Sequence, residues 1–231
     1  DHYLTGTSAR NLEFDPEALD RFDYLVACLK ENGIYLYLDA MTSWRGYNAG
    51  PGWVPEAKQA DFKNRIFFDA KVRDQWKAGV DKLLTHANPY TKTRLADDPA
   101  VAVVLFYNEQ NVNFYNGMNP GFSAPWRSWL RAKYTTEEAL RRAWADSRGR
   151  SLLPNDATLD TVPLFDKNTL WNDDPRNRDA GLFVRDIHAE LLAWFTSQTR
   201  AMGYAGLITH YDWLNHLGIQ SLRSRLPVIS M

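Results

Sequence analysis

Residues 98–111 constrain the fold more than any other stretch of this chain. Asp98-Pro99 stops whatever precedes it, and Ala100 to Phe106 then run without a charge into Tyr107, Asn108, Glu109, Gln110 and Asn111. A continuous apolar run of this length, rich in β-branched residues, predicts a strand buried on both faces, as in parallel sheets. In α/β proteins ligands gather at the carboxyl ends of such strands. A carboxylate there, flanked by amides, reads as a catalytic group; the alternative is the first residue of a polar loop.

Elements on either side alternate. Asp15-Pro16-Glu17 reads as a helix start, with Asp15 as cap and Pro16 in the first turn. Leu19, Phe22, Leu25, Val26 and Leu29 recur at three- and four-residue spacing and predict its apolar face. Asn32-Gly33 ends the helix, and residues 34–39 predict a strand closing on a second acid, Asp39. A Gly- and Trp-bearing loop follows. From Asp69 a helix is predicted with Val72, Trp76, Val80, Leu83 and Leu84 on one side, broken at Asn88-Pro89-Tyr90.

After the central strand, residues 111–125 read as a loop. Two short helices are expected at Trp126–Tyr134 and Glu137–Trp144, the second opened by a capping box of Thr135 and Glu138. Residues 147–178 show little periodicity. Asp179 is expected to start a long helix with Leu182, Phe183, Ile187, Leu191, Trp194 and Phe195 as its stripe. Strands are then predicted at 205–210 and 227–231.

Strands alternating with helices specify a parallel sheet with helices outside it. No Gly-rich phosphate turn follows any strand, which removes the main reason to prefer a dinucleotide fold. The expected fold class is therefore α/β, a (β/α)₈ TIM barrel. A complete barrel needs about 250 residues, more when loops are long. Only about four strands are countable, so the 231 residues are expected to form one catalytic barrel domain incomplete at both ends, with 110–178 as a long insertion.

Composition excludes several function classes. A net charge of -1 argues against a nucleic-acid partner. No apolar run approaches a membrane span, and no signal peptide is visible at Asp1-His2-Tyr3. The lone Cys28 leaves no cysteine pair for a disulfide, zinc or redox motif and reads as a small buried hydrophobe. Nine Trp, eleven Tyr and eleven Phe can be core or sugar-stacking platforms, depending on where they sit.

Asn88-Pro89-Tyr90-Thr91, Asp98-Pro99-Ala100 and Asn108-Glu109 together resemble the fourth-strand region of the retaining (β/α)₈ glycoside hydrolases of clan GH-A. That clan includes the family 5 cellulases and mannanases and the family 42 β-galactosidases. Phe14–Asp39 is similar to the helix and strand just upstream in those enzymes. Trp129–Tyr134, Glu138-Ala139-Leu140 and Ala143-Trp144 resemble a segment after the Asn-Glu pair in family-42-like members. The sequence departs from the family 5 pattern at Met41 or Thr42, where a His is frequent, and at Gln110, where Pro is common.

The resemblance implies that Glu109 is the general acid/base and that Asn108 bonds the sugar 2-hydroxyl. It implies double displacement on β-linked glycans, no cofactor, and an extracellular or periplasmic location. It aligns the strands with the third to sixth of a barrel, so the nucleophile of the seventh falls outside these residues. The physical chemistry agrees: glycosidic cleavage needs an acid on the leaving oxygen, and a second carboxylate about 5 Å away as nucleophile. A strand-end Glu that is partly desolvated can carry the raised pKa an acid needs.

Asp39 and Asp212 lie at predicted strand ends and read as substrate-binding or structural acids. Trp44, Trp53, Tyr115 and Trp213 stand in strand-end loops, where flat rings suit the apolar faces of pyranoses. Arg45 can bond a hydroxyl or an acidic sugar, or close a loop salt bridge. Tyr107, Asn111 and Tyr211 complete the predicted binding set. His210, Asp212 and His216 could instead bind a divalent ion, but no metal is expected, because a further ligand at the right geometry is not assured. An oligo- or polysaccharide is thus the expected partner, for a hydrolase or for a glycan-binding barrel that has lost its chemistry.

Overall fold

A computed structural model describes residues 14–41, 59–108, 118–166, 170, 172–210 and 217–229. Three strands, β1 (Leu36–Asp39), β2 (Val101–Leu105) and β3 (Leu207–Thr209), form one sheet in the order β1-β2-β3. Both pairings are parallel, so β2 is the central strand. Among the described residues seven α-helices run between and around the strands: α1 (Pro16–Glu31), α2 (Gln59–Arg65), α3 (Ala70–Thr85), α4 (Ser123–Tyr134), α5 (Glu137–Ala143), α6 (Pro175–Ala201) and α7 (Leu217–Arg223).

Local chemistry explains most boundaries. Asp15 caps α1, its carboxylate accepting from the Ala18 amide at 2.9 Å with Pro16 in the first turn. Gly33, at φ +69°, turns the chain from α1 towards β1. Asp69 caps α3 through the Lys71 amide. The predicted α3 stripe of Val72, Trp76, Val80, Leu83 and Leu84 is buried throughout.

Other expectations are corrected. Leu25 is 51% exposed, and Asp23 takes its place on the buried side of α1. The reason is a specific bond: Asp23 Oδ2 meets His86 Nε2 at 2.8 Å, tying α1 to the end of α3. α5 is capped by Thr136, which accepts from the Ala139 amide, rather than by Thr135. α6 begins at Pro175, behind an Asp174 cap, and not at Asp179. Asp179 is instead buried, bonded by Lys133, Tyr134 and Trp144 Nε1. Cys28 is only half-buried. α2 is a helix that the sequence reading did not anticipate.

The strands are shorter than predicted: 36–39 within 34–39, 101–105 within the apolar run that leads to Asn108, and 207–209 within 205–210. Residues 227–229, expected to open a fourth strand, make no ladder pairing among the described residues. Instead Thr209 Oγ1 donates to the Val228 carbonyl at 2.7 Å. Three parallel strands with helices are therefore what the described residues display, against the four expected.

The sheet has two unlike faces. Trp76 of α3 and Trp194 and Phe195 of α6 pack together, and Phe195 stacks on Phe106 at 5.3 Å between centroids. That helix layer covers the face bearing Val104 and Ile208, which are 0% and 3% exposed. On the other face Tyr37 and Leu207 are each 47% exposed. Val103, between them in register, is half-buried. Val101 and Leu105 flank Val103 on that face and are buried at 3% and 2%, while Ala102 on the helix side is half-buried, so the predicted burial of the central strand on both faces holds except at Ala102 and Val103.

A second aromatic cluster lies away from the sheet. Trp126 of α4 packs on Trp129, Trp144, Phe165 and Phe183 with centroids 5.1 to 6.0 Å apart. Residues 147–166, poor in periodicity, contribute Leu153, Ala157, Leu159, Val162 and Phe165 to the core. Five of the nine Trp are therefore packing residues, which settles for them the choice between core and sugar platform.

Candidate functional site

The carboxyl end of the sheet is assembled at residues 105–108. The strand ladder runs out at Leu105, whose carbonyl accepts from the Ala40 amide at 2.8 Å. Beyond it the chain is held from all sides. The Phe106 amide donates to the Thr209 carbonyl at 3.2 Å, and the Asn108 amide to the Met41 carbonyl at 3.0 Å. Two side chains complete the set: Trp76 Nε1 donates to the Phe106 carbonyl at 3.0 Å. Lys63 Nζ donates to the Asn108 carbonyl at 2.7 Å. Buried backbone groups outside a ladder need such partners. The result is a strand end held from all sides at Asn108, which is half-buried.

Lys63 is the residue here that sequence reasoning missed. It is 0% exposed, with Nζ 5.4 Å from the centroid of the Tyr107 ring, which Phe62 flanks at 6.1 Å. Burying an ammonium costs several kcal/mol unless polar and aromatic groups compensate. The Asn108 carbonyl and the Tyr107 ring face both do so. Phe62 and Ile66, four residues apart and both fully buried, were the available signal for the helix that carries Lys63. Nothing in a Phe-Lys-Asn-Arg-Ile run marks which cation turns inward.

Of the residues predicted for the site, Asp39, Tyr107 and Asn108 are within the described residues. Trp44, Arg45, Trp53, Glu109, Asn111, Tyr115, Tyr211, Asp212 and Trp213 lie outside them. Asp39 ends β1 in register with Leu105, so it is brought to the same end of the sheet as Asn108. Burial raises its carboxyl above the usual aspartate range. A strand-end acid with a raised pKa has the profile of a functional group. Tyr107 is completely buried, so its ring forms part of the packing under Lys63.

His210, weighed above as a metal ligand, follows β3 directly and is 1% exposed. Its ring lies 6.5 Å from that of His188 on α6, which puts it in the helix layer. Neither ring nitrogen has a hydrogen-bond partner. Burial, with His188 and Arg223 nearby, holds its pKa well below the usual histidine value, so it is neutral at pH 7. Asp212 and His216 lie outside the described residues. Among the described residues no three His, Cys, Asp or Glu side chains are grouped to hold a metal ion.

The segments that carried the family resemblance serve as joints. Asn88 is buried: its Nδ2 donates to the Asp23 carbonyl at 2.9 Å while its Oδ1 accepts from the amides of Tyr90 and Thr91. Asp98 is 3% exposed and accepts from the Ala100 amide, Thr93 Oγ1 and Lys30 Nζ at 2.8 to 3.0 Å. Burial alone would raise its pKa, but these three donors outweigh it and the net shift is downward. Both motifs thus lock the helix-to-strand connection that aims β2.

No family model matches the chain. Two curated rice proteins (Oryza sativa subsp. japonica) are similar to part of it. "Putative mannan endo-1,4-beta-mannosidase 5" is 27% identical over 99 residues, 42% of this chain and 20% of that protein. Mannan endo-1,4-beta-mannosidase 8 is 24% identical over 100 residues, 42% of this chain and 27% of that protein. The match therefore spans between a fifth and about a quarter of the length of these relatives.

Proposed function

We propose that this chain is part of a retaining glycoside hydrolase that cleaves β-linked polysaccharides, with mannan-type β-1,4 glycans the first substrates to test. The observation that carries the proposal is the position of Asn108, pinned at the carboxyl end of the central parallel strand one residue before Glu109. The similarity to two proteins named as mannan endo-1,4-beta-mannosidases supports the substrate class. A partial (β/α)₈ barrel is the architecture the resemblance implies, and the parallel β1-β2-β3 order is compatible with it.

In this mechanism the protonated Glu109 carboxyl gives its proton to the glycosidic oxygen as the bond from the anomeric carbon breaks. A second carboxylate, contributed by a strand outside these 231 residues, bonds the anomeric carbon from the opposite face. Glu109, now a carboxylate, takes a proton from the water that displaces that carboxylate and releases the sugar. Asn108 bonds the 2-hydroxyl, a contact that strengthens as the ring becomes oxocarbenium-like. Asp39, raised in pKa at the neighbouring strand end, contacts sugar hydroxyls. Polymeric substrates imply action outside the cytoplasm.

The test is Glu109→Gln in the complete polypeptide. Hydrolysis of an unactivated β-linked glycan should fall by on the order of 10²–10⁴, the usual worth of a general acid. Binding of the same glycan, followed by calorimetry, should persist. Full hydrolytic activity in that variant would sink the assignment. Glycan binding with no hydrolysis by the unaltered protein would leave a binding barrel in its place.

A further inference from the structure

Lys63 occupies a position that packing alone does not call for. It is on α2 and 0% exposed, in a stretch whose Phe62, Ile66 and Phe67 are also buried, and a Leu or Met would bury more favourably there. Yet the ammonium is completely buried and donates to a backbone atom, the carbonyl oxygen of Asn108, at 2.7 Å. That oxygen belongs to the peptide group joining Asn108 to Glu109. The amide of Asn108 is held by the Met41 carbonyl at 3.0 Å. Residue 108 is thus fixed through both of its backbone polar groups, on the Glu109 side by Lys63.

A strand that has left its ladder has no intrinsic reason to keep one peptide orientation. Rotation of the 108–109 peptide plane swings everything attached beyond it. A charged donor fixes that plane more firmly than a neutral one, because charge-assisted hydrogen bonds are shorter and roughly twice as strong. The Tyr107 ring, its centroid 5.4 Å from the ammonium, adds a cation–π contact that helps keep it in place. We propose that Lys63 is a positioning residue for the proton donor, orienting the Asn108–Glu109 peptide so that the acid meets the leaving oxygen. This rests on the glycosidase reading of Glu109.

A positioning role for an acid has a signature that general loss of structure lacks. A leaving group that departs without protonation has no need of a well-aimed acid. In the complete polypeptide, Lys63→Met, close in shape and unable to donate, should lower kcat/KM on β-1,4-mannan oligosaccharides by about 10–100-fold. On 2,4-dinitrophenyl β-mannobioside kcat/KM should stay within about twofold of the parent protein. Lys63→Arg, which keeps a charged donor, should recover part of the loss and supplies the same ratio should the Met variant not fold. Glu109→Ala, measured on both substrates, is the reference.

An equal fall on both substrates, or no fall on either, in Lys63→Met, or an equal fall on both in Lys63→Arg, overturns the inference while leaving Glu109 as the acid. Absence of leaving-group dependence in Glu109→Ala overturns the glycosidase reading itself, and the role of Lys63 with it.

Discussion

At the scale of single residues, the buried polar groups divide into those that are compensated and those that are not. Asp98 is compensated by three donors, so Asp98→Ala should cost about 2–4 kcal/mol by leaving Lys30, Thr93 and the Ala100 amide without an acceptor. Because its folded-state pKa is depressed, its contribution is full above the unfolded value of about 3.9 and is lost as pH falls through the lower folded value. A lowered urea midpoint at pH 7 and a reduced acid sensitivity near pH 3 would both register it. His210 shows the uncompensated case. Below about pH 6.5 the unfolded chain takes up a proton that the buried ring refuses, so stability is full above that pH and declines as pH falls. The slope is up to about 1.4 kcal/mol per pH unit. His210→Phe should remove it and cost little at pH 7, since the ring nitrogens give up no hydrogen bond. Thermal midpoints of the two proteins at pH 5 and 7 decide the matter; parallel slopes would refute it.

At the scale of elements, caps and clusters carry the long helices. α6 depends on Asp174, which accepts from the Asn177 amide at 2.9 Å and from its side chain, with Pro175 in the first turn. Asp174→Ala should therefore cost about 1 kcal/mol, the usual worth of such a cap, read as a shift in denaturant midpoint without a change of slope. Trp76 has a double function: it packs on Trp194 and Phe195, and its Nε1 satisfies the Phe106 carbonyl beyond the strand. Trp76→Phe keeps most of the packing and orphans the carbonyl. A loss of about 1–3 kcal/mol is expected, larger than the volume change alone predicts. A loss no greater than that of Trp194→Phe, measured the same way, would count against the hydrogen bond.

At the scale of the whole molecule, the sheet is ordered, among the described residues, from a protected centre to more exposed edges. β2 is bonded on both sides and backed by α3 and α6, whereas β1 carries Tyr37 at 47% and, just before it, Tyr35 at 72% exposure. Opening free energies differ across such a structure. Amide exchange should be slowest at Val104 and Phe106 and at least about tenfold faster at Tyr35, a contrast measurable by NMR. The same centre-to-edge ordering explains why the candidate site stands at residue 108: it is the exit of the most constrained strand.

What was legible from the sequence alone was local. The apolar run as far as Asn108, the α3 stripe and the Asp15 cap each depend on residues close together in the chain, and each appears in the structure. The parallel order followed from alternation, a rule about neighbours. What only the tertiary structure decided involves distant partners. Asp23 turns inward because His86, 63 residues away, meets it. His210 belongs to the helix layer because α6 brings His188 to it. Lys63 lies buried because Asn108, 45 residues on, presents a carbonyl that has run out of ladder partners. A charge is written in sequence as a surface residue by default, since burial costs more than any local pattern can repay. Only a folded backbone can offer the oxygen and the ring that repay it.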